Sequence, residues 1–178
     1  MAYPKLLPSG WQSTIEKRIG LFTACGILFN HESYLRGENF IIKKIVNTAL
    51  NIKQENATEL TMGNLAISRD CGYAPKYVEA MWLMLQQEQA SDYVICSGQV
   101  KSLLDLLAKI FTRLDLDMRS HVRLDPNLMR SLDLAIIYGD NNKAKRELNW
   151  EYEMGTQELI DQLIKDETAW MKWKHLNH

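Results

Sequence analysis

The stretch Gly26-Ile-Leu-Phe-Asn-His-Glu-Ser-Tyr-Leu-Arg-Gly-Glu38 decides how the rest of this chain reads. Thr23 to Phe29 has the apolar run of a buried strand. It then breaks into a polar loop holding Asn30, His31, Glu32, Ser33, Arg36 and Glu38. Phe40 to Ile52 follows as a helix with Ile41, Ile45, Val46, Ala49 and Ile52 on its apolar stripe, while Lys43, Lys44, Asn47 and Lys53 point elsewhere. Open α/β sheets build ligand sites where strands end in hydrogen-bonding side chains, at their carboxyl ends. The downstream chain then serves as walls for that site.

Upstream of the stretch, the proline-bearing segment Met1 to Gly10 reads as irregular, and Trp11, Ile15 and Ile19 space a short helix that Gly20 would close. Residues 1–22 are therefore an irregular N-terminal segment with a short helix, and 23–178 a single unit. The first residues lack the apolar core of a signal peptide, so a cytoplasmic chain is expected. Downstream, Glu59 to Met62 reads as a short strand ended by Gly63-Asn64, and Leu65 to Tyr73 as a loop carrying Arg69-Asp70. Pro75 opens a helix to about Gln87 whose apolar face is Val78, Met81, Trp82 and Leu85. A second apolar strand runs from Tyr93 to Cys96. Ser102-x-x-Asp105 forms a capping box for a helix over Leu103 to Phe111, and Val122 to Leu124 is a further strand. Asp140 and Thr156 cap the last two helices, the second carrying Leu159, Ile160, Leu163, Ile164, Trp170 and Met171. The fold class is α/β, with more helix than strand.

Hydrophobic residues make up 46% of the chain, charged residues 24%, and the net charge is -1. No field therefore favours nucleic acid or an anionic membrane. No apolar run approaches the ~20 residues of a membrane span. Cys25, Cys71 and Cys96 form neither a disulfide framework nor a zinc pattern and read as reduced packing residues. His31, His121, His175 and His178 are not paired at a metal-ligand spacing, so no metal is expected. Neither a G-x-G-x-x-G turn, a P-loop nor a nucleophile elbow is present. What remains is a set of cations near loops: Arg36, Lys44, Arg69 and Arg130. Converging, they suit a diphosphate; apart, they are solvated charges. Spacing alone leaves both open.

Gly26-Ile-Leu-Phe-Asn-His-Glu-Ser, Arg36-Gly-Glu, Gly63-Asn64, Arg69-Asp70, Tyr77-Val-Glu-Ala-Met-Trp-Leu-Met-Leu-Gln-Gln and Asp125-Pro126 followed by Arg130 together resemble the GDP-mannose 4,6-dehydratase family. This is a branch of the extended short-chain dehydrogenases/reductases, and the likeness runs from about Ala24 to the C-terminus. It implies a partial Rossmann-type sheet with a sugar-nucleotide substrate-binding subdomain, the N-terminal dinucleotide-binding half being missing. Asn30, Lys44 and Arg69 fall where family members contact the diphosphate side of a GDP-sugar such as GDP-mannose. Arg130 and Asp133 fall at the nucleoside end, Asp133 being one methylene shorter than the family's Glu. His31 and Arg36 fall where the family contacts NADP(H).

The resemblance implies no catalytic residue here. The family's catalytic Thr and Glu belong to the missing part, and its Tyr-x-x-x-Lys pair is answered only by Tyr3-Pro4-Lys5, two residues too close. NADP(H) is not expected to be held by this chain alone. Cys71, Asn127 and Ser131 depart from the family pattern. Orphaned strands would expose their edges, so a homo-oligomer or docking onto a separate NADP-binding half is expected. The leading expectation is a GDP-sugar-binding unit without lyase activity of its own. The alternatives are one subunit of a split NADP-dependent dehydratase, or a structural pseudoenzyme that binds nothing.

Overall fold

Between Leu28 and Asn30 the chain changes partners. β1 (Gly26–Leu28) runs parallel to β5 (Tyr93–Ile95), and the Phe29 amide still donates to the Ile95 carbonyl at 3.0 Å. One residue later β2 (Asn30–Glu32) lies parallel to β4 (Ser68–Tyr73), with Asn30 opposite Cys71 and Glu32 opposite Tyr73. The computed structural model that shows this describes residues 20, 22–129 and 132–177. The expected helix over Trp11 to Ile19, the Tyr3-Pro4-Lys5 remnant, Arg130 and Ser131 lie outside them.

β4 is the hub. Its first half pairs antiparallel with β6 (Val100–Ser102) and parallel with β8 (Ile136–Ile137), and its second half takes β2. A separate parallel pair joins β3 (Leu60–Met62) to β7 (Val122–Leu124). The helices are α1 (Ile41–Lys53), α2 (Ala74–Met84), α3 (Leu103–Arg113), α4 (Met118–His121), α5 (Asn142–Leu148) and α6 (Thr156–Asn177). The architecture is α/β, as expected.

Strand alternation sends successive β4 residues to opposite sides, and each side has its own core. On one, Cys71 joins Ile45 and Val46 of α1, Leu107 and Phe111 of α3, and Leu159 and Ile160 of α6. On the other, Gly72 lies against Tyr77 of α2 and Tyr152. A Cβ at Gly72 would sit 2.6 Å from Tyr77 Cε2 and 2.8 Å from Tyr152 Cε2, so only glycine lets these rings close on the strand. Between the two halves of β4, the fully buried Asp70 carboxylate accepts from the Ser97 and Gly98 amides and the Ser97 hydroxyl, each at 2.8 Å. It closes the turn after β5.

The structure corrects several expectations, Ile41 of the α1 stripe among them: it is 40% exposed, and Ile42 and Leu50 are buried in its place. The polar segment does not begin as a loop, because Asn30 to Glu32 find backbone partners on β4. For the same reason Ser68 to Tyr73, expected as loop, is the longest strand among the described residues. Lys43, expected to point away, is buried on Glu167 of α6. Finally, α2 presents the opposite face: Tyr77, Ala80 and Met84 are buried, whereas Val78, Trp82 and Leu85 are each 60% exposed and Met81 44%. An apolar helix offers two candidate stripes, and only the tertiary partners choose between them. One smaller expectation holds, the Ser102 hydroxyl accepting from the Asp105 amide, whereas the N-cap of α5 is Asn141 and Asp140, one residue earlier, accepts from the Asn142 amide at 2.8 Å.

Replacing Asp70 with Ala strips two buried donors on Ser97 and the Gly98 amide of their acceptor. Urea denaturation is expected to show a loss of about 3 kcal/mol or more; a loss under about 1 kcal/mol would show that the turn after β5 closes without it.

Candidate functional site

The partner change at Phe29 splits the expected site residues between the two faces of the β2–β4 ladder. Asn30 and Glu32 share the face of Arg69 and Cys71, while His31, opposite Gly72, turns to the other side. There its ring lies 5.4 Å from that of Tyr77. The His31 Nδ1–H donates to the Phe29 carbonyl at 2.8 Å.

Arg69 emerges from the start of β4. Its Nη2 donates to Asp133 Oδ1 at 2.7 Å, and its Nη1 to the Ser68 carbonyl at 2.8 Å. Two residues assigned by resemblance to the diphosphate and to the nucleoside of a GDP-sugar thus touch each other. Asn30 stands opposite Cys71, two positions along β4 from Arg69, and is exposed. Lys44 is engaged on another ladder: its ammonium donates to the Thr61 carbonyl of β3 at 2.6 Å. A Cβ at Gly63 would lie 2.6 Å from the Leu128 carbonyl, so glycine there lets the Pro126–Leu128 turn close onto the end of β3. That turn leads to Arg130, which is outside the described residues.

Arg36 folds back onto the end of β2. Its Nη1 donates to the His31 carbonyl at 2.8 Å and to Glu32 Oε1 at 2.5 Å, and its guanidinium carbon lies 4.1 Å above the Phe40 ring. Glu32 is buried, and burial pushes its carboxyl up to about 7 even though Arg36 pulls the other way. Its second oxygen, Oε2, has no partner among the described residues. Sequence reasoning quoted Glu32 without giving it a role. Its alternation with Asn30 was the available signal, legible only once the segment is known to be a strand.

Burial pushes the Cys71 thiol up to about 12, the direction that disfavours the nucleophilic thiolate. Beside it, buried Lys101 donates to the Cys71 carbonyl at 3.0 Å and to the Ser97 hydroxyl at 3.2 Å. Desolvation lowers its pKa. No cluster of metal-ligating side chains occurs among the described residues, and no described helix is long and apolar enough to cross a membrane.

Against known proteins, the model of the GDP-mannose 4,6 dehydratase family matches residues 4–163. The chain belongs to the GDP-mannose 4,6-dehydratase family. It is 41% identical over 148 residues to GDP-mannose 4,6 dehydratase 2 of Arabidopsis thaliana, an alignment that takes in 83% of this chain and 40% of that protein. With the Homo sapiens GDP-mannose 4,6 dehydratase it shares 34% over 169 residues, covering 85% of this chain and 45% of the relative. The chain spans less than half the length of these curated relatives.

Solved structures give the same picture of the fold. RMD from Pseudomonas aeruginosa, complexed with NADPH, superposes with a TM-score of 0.79 at 19% identity, over 88% of this chain and 52% of that one. The dTDP-glucose 4,6-dehydratase of Bacillus anthracis, in complex with NAD, gives 0.77 at 14% identity, over 93% and 50%. The fold is thus that of about half of each of these Rossmann-type structures.

His31 and Arg36 do not by themselves fit NADP(H). The family's glycine-rich turn, which receives the pyrophosphate, has no counterpart in this sequence, and His31 and Arg36 supply only two contacts.

Glu32 gives the site a pH signature. Its folded pKa lies above the unfolded value of 4.5, so its stabilising contribution is present in full below about 4.5 and is lost as pH rises through about 7. The loss amounts to about 3 kcal/mol. Chemical denaturation of wild type and Glu32→Gln between pH 5 and 8 is expected to show the variant gaining relative stability with pH. Parallel curves would refute this.

Proposed function

We propose that this chain binds a GDP-sugar such as GDP-mannose and does not dehydrate it on its own. The observation that carries the reading is the ladder face that gathers Asn30, Arg69 and Asp133, with Arg36 folded onto its end. A guanidinium matches phosphate oxygens bidentately, and a carboxylate accepts from ribose hydroxyls or guanine donors. In this reading the diphosphate takes Arg69 from Asp133, which frees the carboxylate for the nucleoside. Lys44 adds charge from the β3 side. Turnover is not expected of the 178-residue chain, because its sequence holds neither a dinucleotide turn nor a correctly spaced Tyr-x-x-x-Lys pair.

Calorimetry with GDP-mannose and with GDP tests this. Wild type is expected to bind both, and Arg69→Ala to bind about 10- to 100-fold more weakly, the worth of one charge-assisted contact. No heat with either ligand overturns the proposal.

A second reading is favoured by the outward face of α2: a separate NADP-binding half completes a split dehydratase. Val78, Met81, Trp82 and Leu85 form one exposed stripe, and β1, paired on only one side among the described residues, exposes Ile27. Parallel strands are rarely left uncovered in this way. Co-purification with a dinucleotide-binding half that Trp82→Glu abolishes would support it. A chain that remains alone in the presence of such a half would refute it.

A further inference from the structure

The second half of α6 lies beyond the 4–163 match to the family, yet its side chains reach the polar loop after β2. Glu167 pairs with Lys43 of α1, with both side chains about 4% exposed. The same Lys43 ammonium donates to the Tyr34 carbonyl at 2.8 Å. Trp170 packs its ring 5.4 Å from that of Tyr34, and Lys174 reaches Glu38 at 3.7 Å. One turn earlier, Asp166 accepts from the Tyr73 hydroxyl at 2.7 Å, at the end of the strand paired with β2.

A buried ion pair is a poor stabiliser, because desolvating two charges offsets most of their attraction and an apolar pair of the same volume serves as well or better. What an apolar pair could not supply is the third contact, from Lys43 to a backbone carbonyl in the loop. That carbonyl belongs to the turn in which the Arg36 amide donates to Ser33. We propose that Glu167 is a positioning residue: through Lys43 it fixes the Tyr34 carbonyl and so holds the turn that presents Arg36. Trp170 covers the joint from the same helix. Removing Glu167 alone would strand a buried ammonium and unsettle the whole molecule, so its loss cannot by itself separate positioning from stability.

The double variant Lys43→Met/Glu167→Leu separates them. Hydrogen exchange of the full chain without ligand is the readout, with thermal melting alongside. The double variant is expected to melt at or above the temperature of Glu167→Gln. Its amides over 34–40 are expected to exchange about 10- to 100-fold faster than in wild type, while those of α3 keep their protection. Unchanged protection over 34–40 overturns the proposal; so does equal acceleration in the loop and in α3. The consequence for the ligand site rests on the GDP-sugar reading, and a GDP titration of the same variants tests that link separately. Should wild type fail to bind GDP, the binding reading falls while the exchange result still decides the role of Glu167.

Discussion

One strand that divides its hydrogen bonds between two ladders holds this molecule together. Up to Phe29 it belongs with β5; from Asn30 it belongs with β4. Everything distinctive about the candidate site follows from that change of partner. It places the polar side chains at the carboxyl end of β1, where α/β sheets take their ligands, and it brings Asn30 opposite Cys71 of β4. It also sets the parity that sends Asn30 and His31 to opposite sides. β4 can receive the strand because Gly72 admits Tyr77 and Tyr152 against its backbone, and because Asp70 ties the turn after β5 to its centre.

The arginines of the site are not bare charges. Arg36 is held by Glu32 and Arg69 by Asp133, each in a partly buried pair. An anionic ligand therefore meets guanidiniums already oriented and neutralised, and must offer more than the carboxylate it replaces. The geometry of a phosphate meets that demand, since its oxygens accept the same paired donors with more charge. Glu32 is the more sensitive partner, because burial already opposes its ionisation.

Where sequence reading succeeded, the signal was local. The α1 stripe apart from Ile41, the Ser102 cap and the strand at Tyr93 each rest on periodicity or on a side chain bonding its near neighbours. The failures share one cause. Asn30 to Glu32 and Ser68 to Tyr73 look like loops because they are polar, yet both are strands whose partners lie some 40 residues away in sequence. Lys43 reads as a solvated cation because its partner, Glu167, comes from the far end of the chain. The α2 face was misjudged because Tyr77, Ala80 and Met84 were chosen by β5, α5 and the Trp150–Tyr152 segment, none of which α2's own spacing reveals.

The sequence by itself determined the α/β class, the family likeness and the identity of the charged groups around the first strand, since these depend on residue type and near spacing. The tertiary structure alone decided which groups meet. Arg69 finds Asp133, Lys44 finds Thr61, and Lys43 finds both Glu167 and the Tyr34 carbonyl. Such pairings join residues far apart in the chain, and no local preference encodes them; they form only when β4 has collected its strands and the helices have closed over both of its faces.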